Sequence, residues 1–265
     1  MKFSASGWFS DDWYQNVEAA ADHGFLGIEQ LMWEDLDIPR AAETLRVCGI
    51  TNSAILLASK DHERARRVGY NYGMVHEDAR GDIVEAFRET AEAAQELGTP
   101  NVVVVTGLAR DGISRETQHL NCVDTLREIA PIAEEYGVTA VLEPLNTLVD
   151  HAGYFLTSSA EAFDIIRAVA SPRVRVLFDI YHQQISEGNL IRNITDNIDL
   201  IGHFHIADNP GRCEPGTGEI NYDSVLRAIH GAGYGCWLAF ECGTSVPVGE
   251  LTPRLRMLVS QFETR

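Results

Sequence analysis

The stretch "VRVLFDIYHQQISEGNLIRNITDNIDLIGHFHIA", residues 174–207, holds two short apolar runs, 174–180 and 200–207, joined by a longer amphipathic segment. Each run is rich in Val, Ile, Leu and Phe and bounded by polar residues, the composition of a strand buried on both faces. Strand, helical connection and strand in succession read as one step of a repeated parallel βα pattern. The same alternation extends outward to "KFSAS" (2–6), "GFLGIEQL" (24–31), "GITNSAILL" (49–57), "NVVVVTG" (101–107), "VTAVLEP" (138–144) and "CWLAFEC" (236–242). Eight such strands with intervening helices predict an α/β fold, a single (β/α)8 TIM barrel over residues 1–265, close to the roughly 250 residues typical of that architecture. An open doubly wound sheet fits less well, because no G-x-G-x-x-G follows the first strand.

Helix punctuation supports the pattern. "DDWYQNVEAAADHG" opens on a capping aspartate and closes on Gly24, "DIVEAFRETAEAAQELG" closes on Gly98, and Ser158 or Ser159 is placed to cap "SSAEAFDIIRAV". Two long loops remain. Residues 58–80, after the third strand, are expected to overhang the barrel mouth as a lid or extra helix, and residues 208–221 form a second loop on the same face.

Composition narrows the function. A formal net charge of -18 repels polyanions, and no Lys/Arg run offers a nucleic-acid footprint. No apolar run approaches the roughly 20 residues that span a bilayer, and the start "MKFSASGWFS" reads as a first strand rather than a leader. Five cysteines, odd in number and without C-x-x-C spacing, fit reduced thiols, so a cytoplasmic protein is expected. Lys2 and Lys60 are the only lysines, which leaves Schiff-base chemistry almost no amine to use.

In a barrel of this kind, side chains at the C-terminal ends of strands meet in one mouth. The fifth to eighth strands end on Glu143 ("AVLEP"), Asp179 ("VLFDI"), His205 ("GHFHI") and Glu241 ("LAFEC"). A charged group closing an apolar run is costly unless it is paired or binds a metal. Three carboxylates and one imidazole suit Mn²⁺, Mg²⁺ or Co²⁺ better than a closed structural zinc site. A metal holding adjacent carbonyl and hydroxyl oxygens acidifies the C–H between them, and a carboxylate beside that carbon moves the proton. In "GHFHI", His203 and His205 share a strand face; His205 lies nearer the mouth and is the expected ligand, His203 a deeper support. His182 and Arg212 are expected to touch substrate, Arg212 through its two-pronged donor. Asp150 and His151 lie close enough to do so as well, Glu219 is expected to brace its loop, and Trp8, Phe9, Trp33 and Tyr72 are candidate walls of the pocket.

The motifs "LEPLNTLVDHAGYFL", "LFDIYHQQISEGNLI" and "IGHFHIADNPGRCEPGTGEINY" closely resemble the hydroxypyruvate isomerase family of the xylose isomerase-like barrels, over roughly residues 138–245. The resemblance implies a divalent metal on Glu143, Asp179, His205 and Glu241, with Glu143 and Glu241 as the proton-transferring pair. It also implies substrate contacts by His182 and Arg212, a small keto acid or sugar as substrate, and a homo-oligomer. Ketose 3-epimerases share the metal scaffold and the histidine three residues after the aspartate, so an epimerase is the alternative. Histidine at position 205 is the epimerase-like choice, whereas "PGRCEPGTGEINY" looks like the isomerase branch. "LLASKDHERA" and "QLMWED" replace the isomerase motifs usual after the third and second strands. Phosphodiester cleavage, as in the endonuclease branch, would call for a histidine-rich multi-metal site and a basic groove, which this composition does not supply.

Overall fold

The computed structural model describes residues 1–263. Its strands are β1 (Lys2–Ala5), β2 (Gly27–Ile28), β3 (Thr51–Asn52), β4 (Ala54–Leu56), β5 (Asn101–Val104), β6 (Thr139–Leu142), β7 (Val174–Asp179), β8 (Ile201–His205) and β9 (Trp237–Ala239). All pair in parallel in the order β3-β2-β1-β9-β8-β7-β6-β5-β4. The ends of this order are one continuous run of chain, broken at Ser53. β3 pairs with β2, β4 pairs with β5, and the Leu56 N–H also donates to Leu31 O at 2.9 Å, so the ring closes through that run. The single third strand expected over 49–57 is therefore two segments sharing one position in the barrel, and the architecture is the TIM barrel expected.

The helices are α1 (Trp13–Asp22), α2 (Ile38–Cys48), α3 (His62–Val68), α4 (Arg80–Leu97), α5 (Arg115–Tyr136), α6 (Ser159–Val169), α7 (Ile180–Ser186), α8 (Leu190–Thr195), α9 (Tyr222–Gly231) and α10 (Val248–Val259). Asp12 caps α1, Ser158 caps α6, and Gly98 ends α4 in the left-handed conformation, as the punctuation predicts. None of the helices among the described residues is long and apolar enough to cross a membrane.

Strand alternation sorts side chains to two sides. Ala54, Val103, Val141 and Leu177, one from each of β4 to β7, form a small cluster separate from the main apolar core. Two residues further along, on the same strand faces as Val141 and Leu177, come Glu143 and Asp179. Between them, Phe178 faces the other way, stacking on Phe163 of α6 with ring centroids 6.5 Å apart.

The 58–80 segment does sit over the barrel end, and α3 is the extra helix within it. Its anchor is backbone against backbone: Val75 N–H donates to Thr106 O at 3.1 Å, and Gly107, with φ at 93°, lies beneath Tyr72. A Cβ on Gly107 would stand 1.8 Å from Tyr72 O. Gly107→Ala is therefore expected to cost about 2–4 kcal/mol, from the left-handed backbone and the overlap together, read by denaturant unfolding. A loss well under about 1 kcal/mol would mean the contact is not rigid.

Candidate active site

Four strands deliver the expected residues to one place. Asp179 and His205 are the last residues of β7 and β8 and are register partners; Glu143 follows β6 directly, and Glu241 lies two residues past β9. His205 Nδ1 is 3.2 Å from Glu143 Oε1, 3.1 Å from Glu241 Oε2 and 4.0 Å from Asp179 Oδ2. One ligand-type atom from each of the four lies within 4.8 Å of all the others.

Asp179 divides its two oxygens. Oδ1 caps α7, accepting the N–H groups of Tyr181 at 2.7 Å and His182 at 3.1 Å, while Oδ2 is buried with no hydrogen-bond partner. Arg212 stands 3.6 Å and His182 Nε2 3.5 Å from this oxygen, neither in a hydrogen bond, so its lone pairs remain open to a cation. Burial pushes the Glu143 carboxyl up from its ordinary range. At Glu241 burial acts the same way, but the His205 imidazole and the Arg212 guanidinium outweigh it and hold the group at about 2. Burial also opposes charge on His205, yet Glu241 and Glu29 raise it well above its ordinary value. Environments that push two carboxyls apart are the usual preparation for acid–base work.

Beside this cluster, His182 lies in the first turn of α7, not in a loop. Its Nδ1 is 2.7 Å from Asn146 Nδ2, which makes Nδ1 the acceptor and puts the proton on Nε2, buried with no hydrogen bond and 3.5 Å from Asp179 Oδ2. Asn146 Nδ2 also reaches Asp150 Oδ2 at 2.9 Å, and the Tyr181 hydroxyl donates to that same oxygen at 2.8 Å. Asp150 thus braces the site, and His151 packs its ring 5.1 Å from His182 and 5.3 Å from Tyr70 of the overhanging segment. Arg212, at φ 52°, donates to Glu241, lies 3.6 Å from Asp179 Oδ2 and covers the Tyr181 ring. Glu219 accepts from Gln184 and Asn209 and braces its loop, as expected.

Of the aromatic residues expected to wall the pocket, Trp33 does not. Trp33 is 2% exposed and gives its indole N–H to Leu56 O, so it belongs to the core. Trp8 binds Cys242 O, and Tyr72 stacks on His76 and donates to Asp78.

Sequence reasoning misses Glu29. It follows β2, is 7% exposed, and sets one oxygen 2.7 Å from His205 Nε2 and the other 2.7 Å from His203 Nε2. The Ser53 hydroxyl donates to that second oxygen at 2.7 Å, which gives the break between β3 and β4 a role in the site. The signal that could find it is the same as for the other four: a lone charge at the end of the apolar run "GFLGIEQL". His203 is wholly buried beneath His205, in the supporting place expected of it.

The donor set, with one carboxylate oxygen that makes no hydrogen bond and an imidazole nitrogen turned toward three carboxylates, fits a divalent cation. Residues 17–257 match the model of a family described as xylose isomerase-like TIM barrel. The chain is 32% identical to hydroxypyruvate isomerase of Escherichia coli over 87% of each chain. It is also 32% identical to 2-oxo-tetronate isomerase of Cupriavidus necator, over 89% of this chain and 91% of that one. Among solved structures, one described as an AP endonuclease, family 2, from Brucella melitensis superposes with a TM-score of 0.84 at 25% identity, covering 99% of both chains.

Proposed function

This chain belongs to the xylose isomerase-like TIM barrel family and is an enzyme of the isomerase class, and we propose that it moves a carbonyl between adjacent carbons of a small hydroxy-keto acid. Glu143, Asp179, His205 and Glu241 would hold a divalent cation, Mn²⁺ or Mg²⁺, with Co²⁺ also matched by the donors. Such a cation would supply Lewis acidity, which acidifies the C–H beside a substrate carbonyl.

The remaining chemistry belongs to the chain. One of the two glutamates takes the proton from the hydroxyl-bearing carbon; the electron pair becomes the C=C bond of an enediolate, and the carbonyl oxygen takes the charge. The other glutamate delivers a proton to the former carbonyl carbon, and the hydroxyl proton passes between the two oxygens as the new carbonyl forms. The roles exchange in the reverse direction. His182 Nε2–H, buried and making no hydrogen bond, donates to a substrate oxygen, and Arg212 holds the acid group with paired donors.

The observation that carries this reading is the convergence of Glu143 and Glu241, from β6 and β9, on His205 Nδ1 at 3.2 and 3.1 Å, beside Asp179 Oδ2, which makes no hydrogen bond. A ketose 3-epimerase on the same residues is the second reading, favoured by histidine at position 205. The test is a panel of three- and four-carbon 2-keto-3-hydroxy acids beside five- and six-carbon ketoses. Relocation of the carbonyl in a keto acid supports the proposal; inversion of one ketose carbon, with the keto acids untouched, replaces it with the epimerase.

A further inference from the structure

We infer that Asp208 is a positioning residue for the acid group of the substrate: its buried carboxylate folds the 208–221 loop about itself and so holds Arg212 in place beside Glu241. The inference rests on the reading of Arg212 as the clamp for that acid group and assigns what holds the clamp.

Arg212 needs a firm support. It donates to Glu241 from a loop without helix or strand, and its φ of 52° lies in the left-handed region. An L side chain keeps that conformation only where its surroundings over-determine it. Two backbone bonds flank the residue: Arg212 O accepts the Gly243 N–H at 2.8 Å, and Cys213 O accepts the Asp208 N–H at 2.7 Å. The Asp208 side chain, wholly buried, ties the rest. Its Oδ1 accepts the Asn209 N–H at 2.9 Å and the Ile220 N–H at 3.1 Å, and its Oδ2 accepts the Gly216 N–H at 2.7 Å. One carboxylate thus joins the half of the loop that carries Arg212 to the half that returns. The two halves also meet backbone to backbone, with the Glu219 N–H donating to Asn209 O at 2.7 Å. A carboxylate suits this place because it only accepts and has lone pairs for all three donors.

Asparagine at 208 keeps the volume of the side chain and breaks the tie. Its one oxygen is best placed at Oδ1, where two donors meet, so its NH₂ faces the Gly216 N–H, donor against donor. Gly218→Ala disturbs the same junction and leaves the carboxylate intact. A Cβ there would stand 2.2 Å from Asn209 O and 2.6 Å from Asp208 Oδ1, while residue 218 is itself exposed and outside the barrel core.

The test measures steady-state kinetics on hydroxypyruvate with Mg²⁺, and Mn²⁺ affinity by titration, for wild type, Asp208→Asn, Gly218→Ala, Arg212→Gln and the Asp208→Asn/Arg212→Gln pair. Expected in Asp208→Asn is a KM roughly 10–100-fold higher with kcat lowered by less than about threefold. KM should rise in Gly218→Ala as well, and both variants should bind Mn²⁺ within about threefold of wild type. In the Arg212→Gln background, Asp208→Asn should raise KM by less than about twofold, because the clamp it serves is already gone. A wild-type KM in Asp208→Asn overturns the inference. So does an equal rise in the Arg212→Gln background, or a loss of Mn²⁺ affinity that matches the rise in KM, either of which makes Asp208 a general support of the barrel mouth. If wild type leaves hydroxypyruvate untouched, or Arg212→Gln keeps the wild-type KM, the clamp reading falls and takes this inference with it. Should Asp208→Asn not fold, Gly218→Ala decides: a wild-type KM there overturns the inference.

Discussion

Replacing Glu143 or Glu241 with glutamine is expected to lower kcat by about a thousandfold or more while the barrel stays folded. Glutamine preserves the volume and planar shape of the side chain, so packing around these positions should hold. What it removes is the ability to take and return a proton, together with a negative charge from the cation site. Burial already disfavours the charged form of Glu143, so an amide there costs the metal-free protein little, and its melting temperature in chelator should match or exceed that of wild type. Assays at metal concentrations that saturate each variant separate lost turnover from lost occupancy. The two changes act on one proton path, so the double variant should be little worse than the poorer single one. Near-normal turnover in either single variant would sink the two-glutamate scheme.

Removal of divalent ions is the second large effect expected. Three carboxylates and an imidazole within 4.8 Å, one aspartate oxygen among them without a hydrogen bond, are poorly balanced by Arg212 alone. Lewis-acid stabilisation of the developing oxygen charge supplies several kcal/mol, so exhaustive chelation should leave about 1% of the activity or less. Mn²⁺ or Mg²⁺ added back should restore it. Binding must also stabilise the fold, by about 2.7 kcal/mol at a hundred times Kd, a rise of several degrees in Tm that is read without any substrate. Full activity in chelator, with no Tm change on adding metal, would contradict a metal-dependent site.

Much of the barrel and of the residue cluster at its mouth is legible in the amino-acid sequence. Each of Glu143, Asp179, His205 and Glu241 ends an apolar run, and parallel strands in a barrel bring such ends to one edge. Glu29 is harder to see because its strand is only Gly27–Ile28, whereas the apolar run around it extends from 24 to 31 and hides where pairing stops. Ser53 is invisible for a related reason. "GITNSAILL" reads as one strand, and only the change of partner from β2 to β5 splits it and turns the serine toward Glu29. Trp33 is misplaced as a wall residue because loop paths depend on contacts far away in the chain. Trp33 is drawn into the core by Leu56 O, and Tyr72 is held by Arg67, His76 and Asp78. The sequence specifies strand ends well and loop conformations poorly, since the former follow periodicity and the latter follow tertiary packing.

The most direct test of the central claim follows a single proton. Hydroxypyruvate is incubated in D₂O with protein loaded with Mg²⁺, which avoids paramagnetic broadening, and the product is read by ¹H and ¹³C NMR. The account predicts that the carbonyl moves from C2 to C3 and that solvent deuterium appears on C2, where the second glutamate delivers it. Carbonyl relocation without any solvent deuterium would point to direct hydride transfer and contradict the enediolate path, and no change in hydroxypyruvate, with a 3-inverted ketose as the only labelled product, would contradict the isomerase itself.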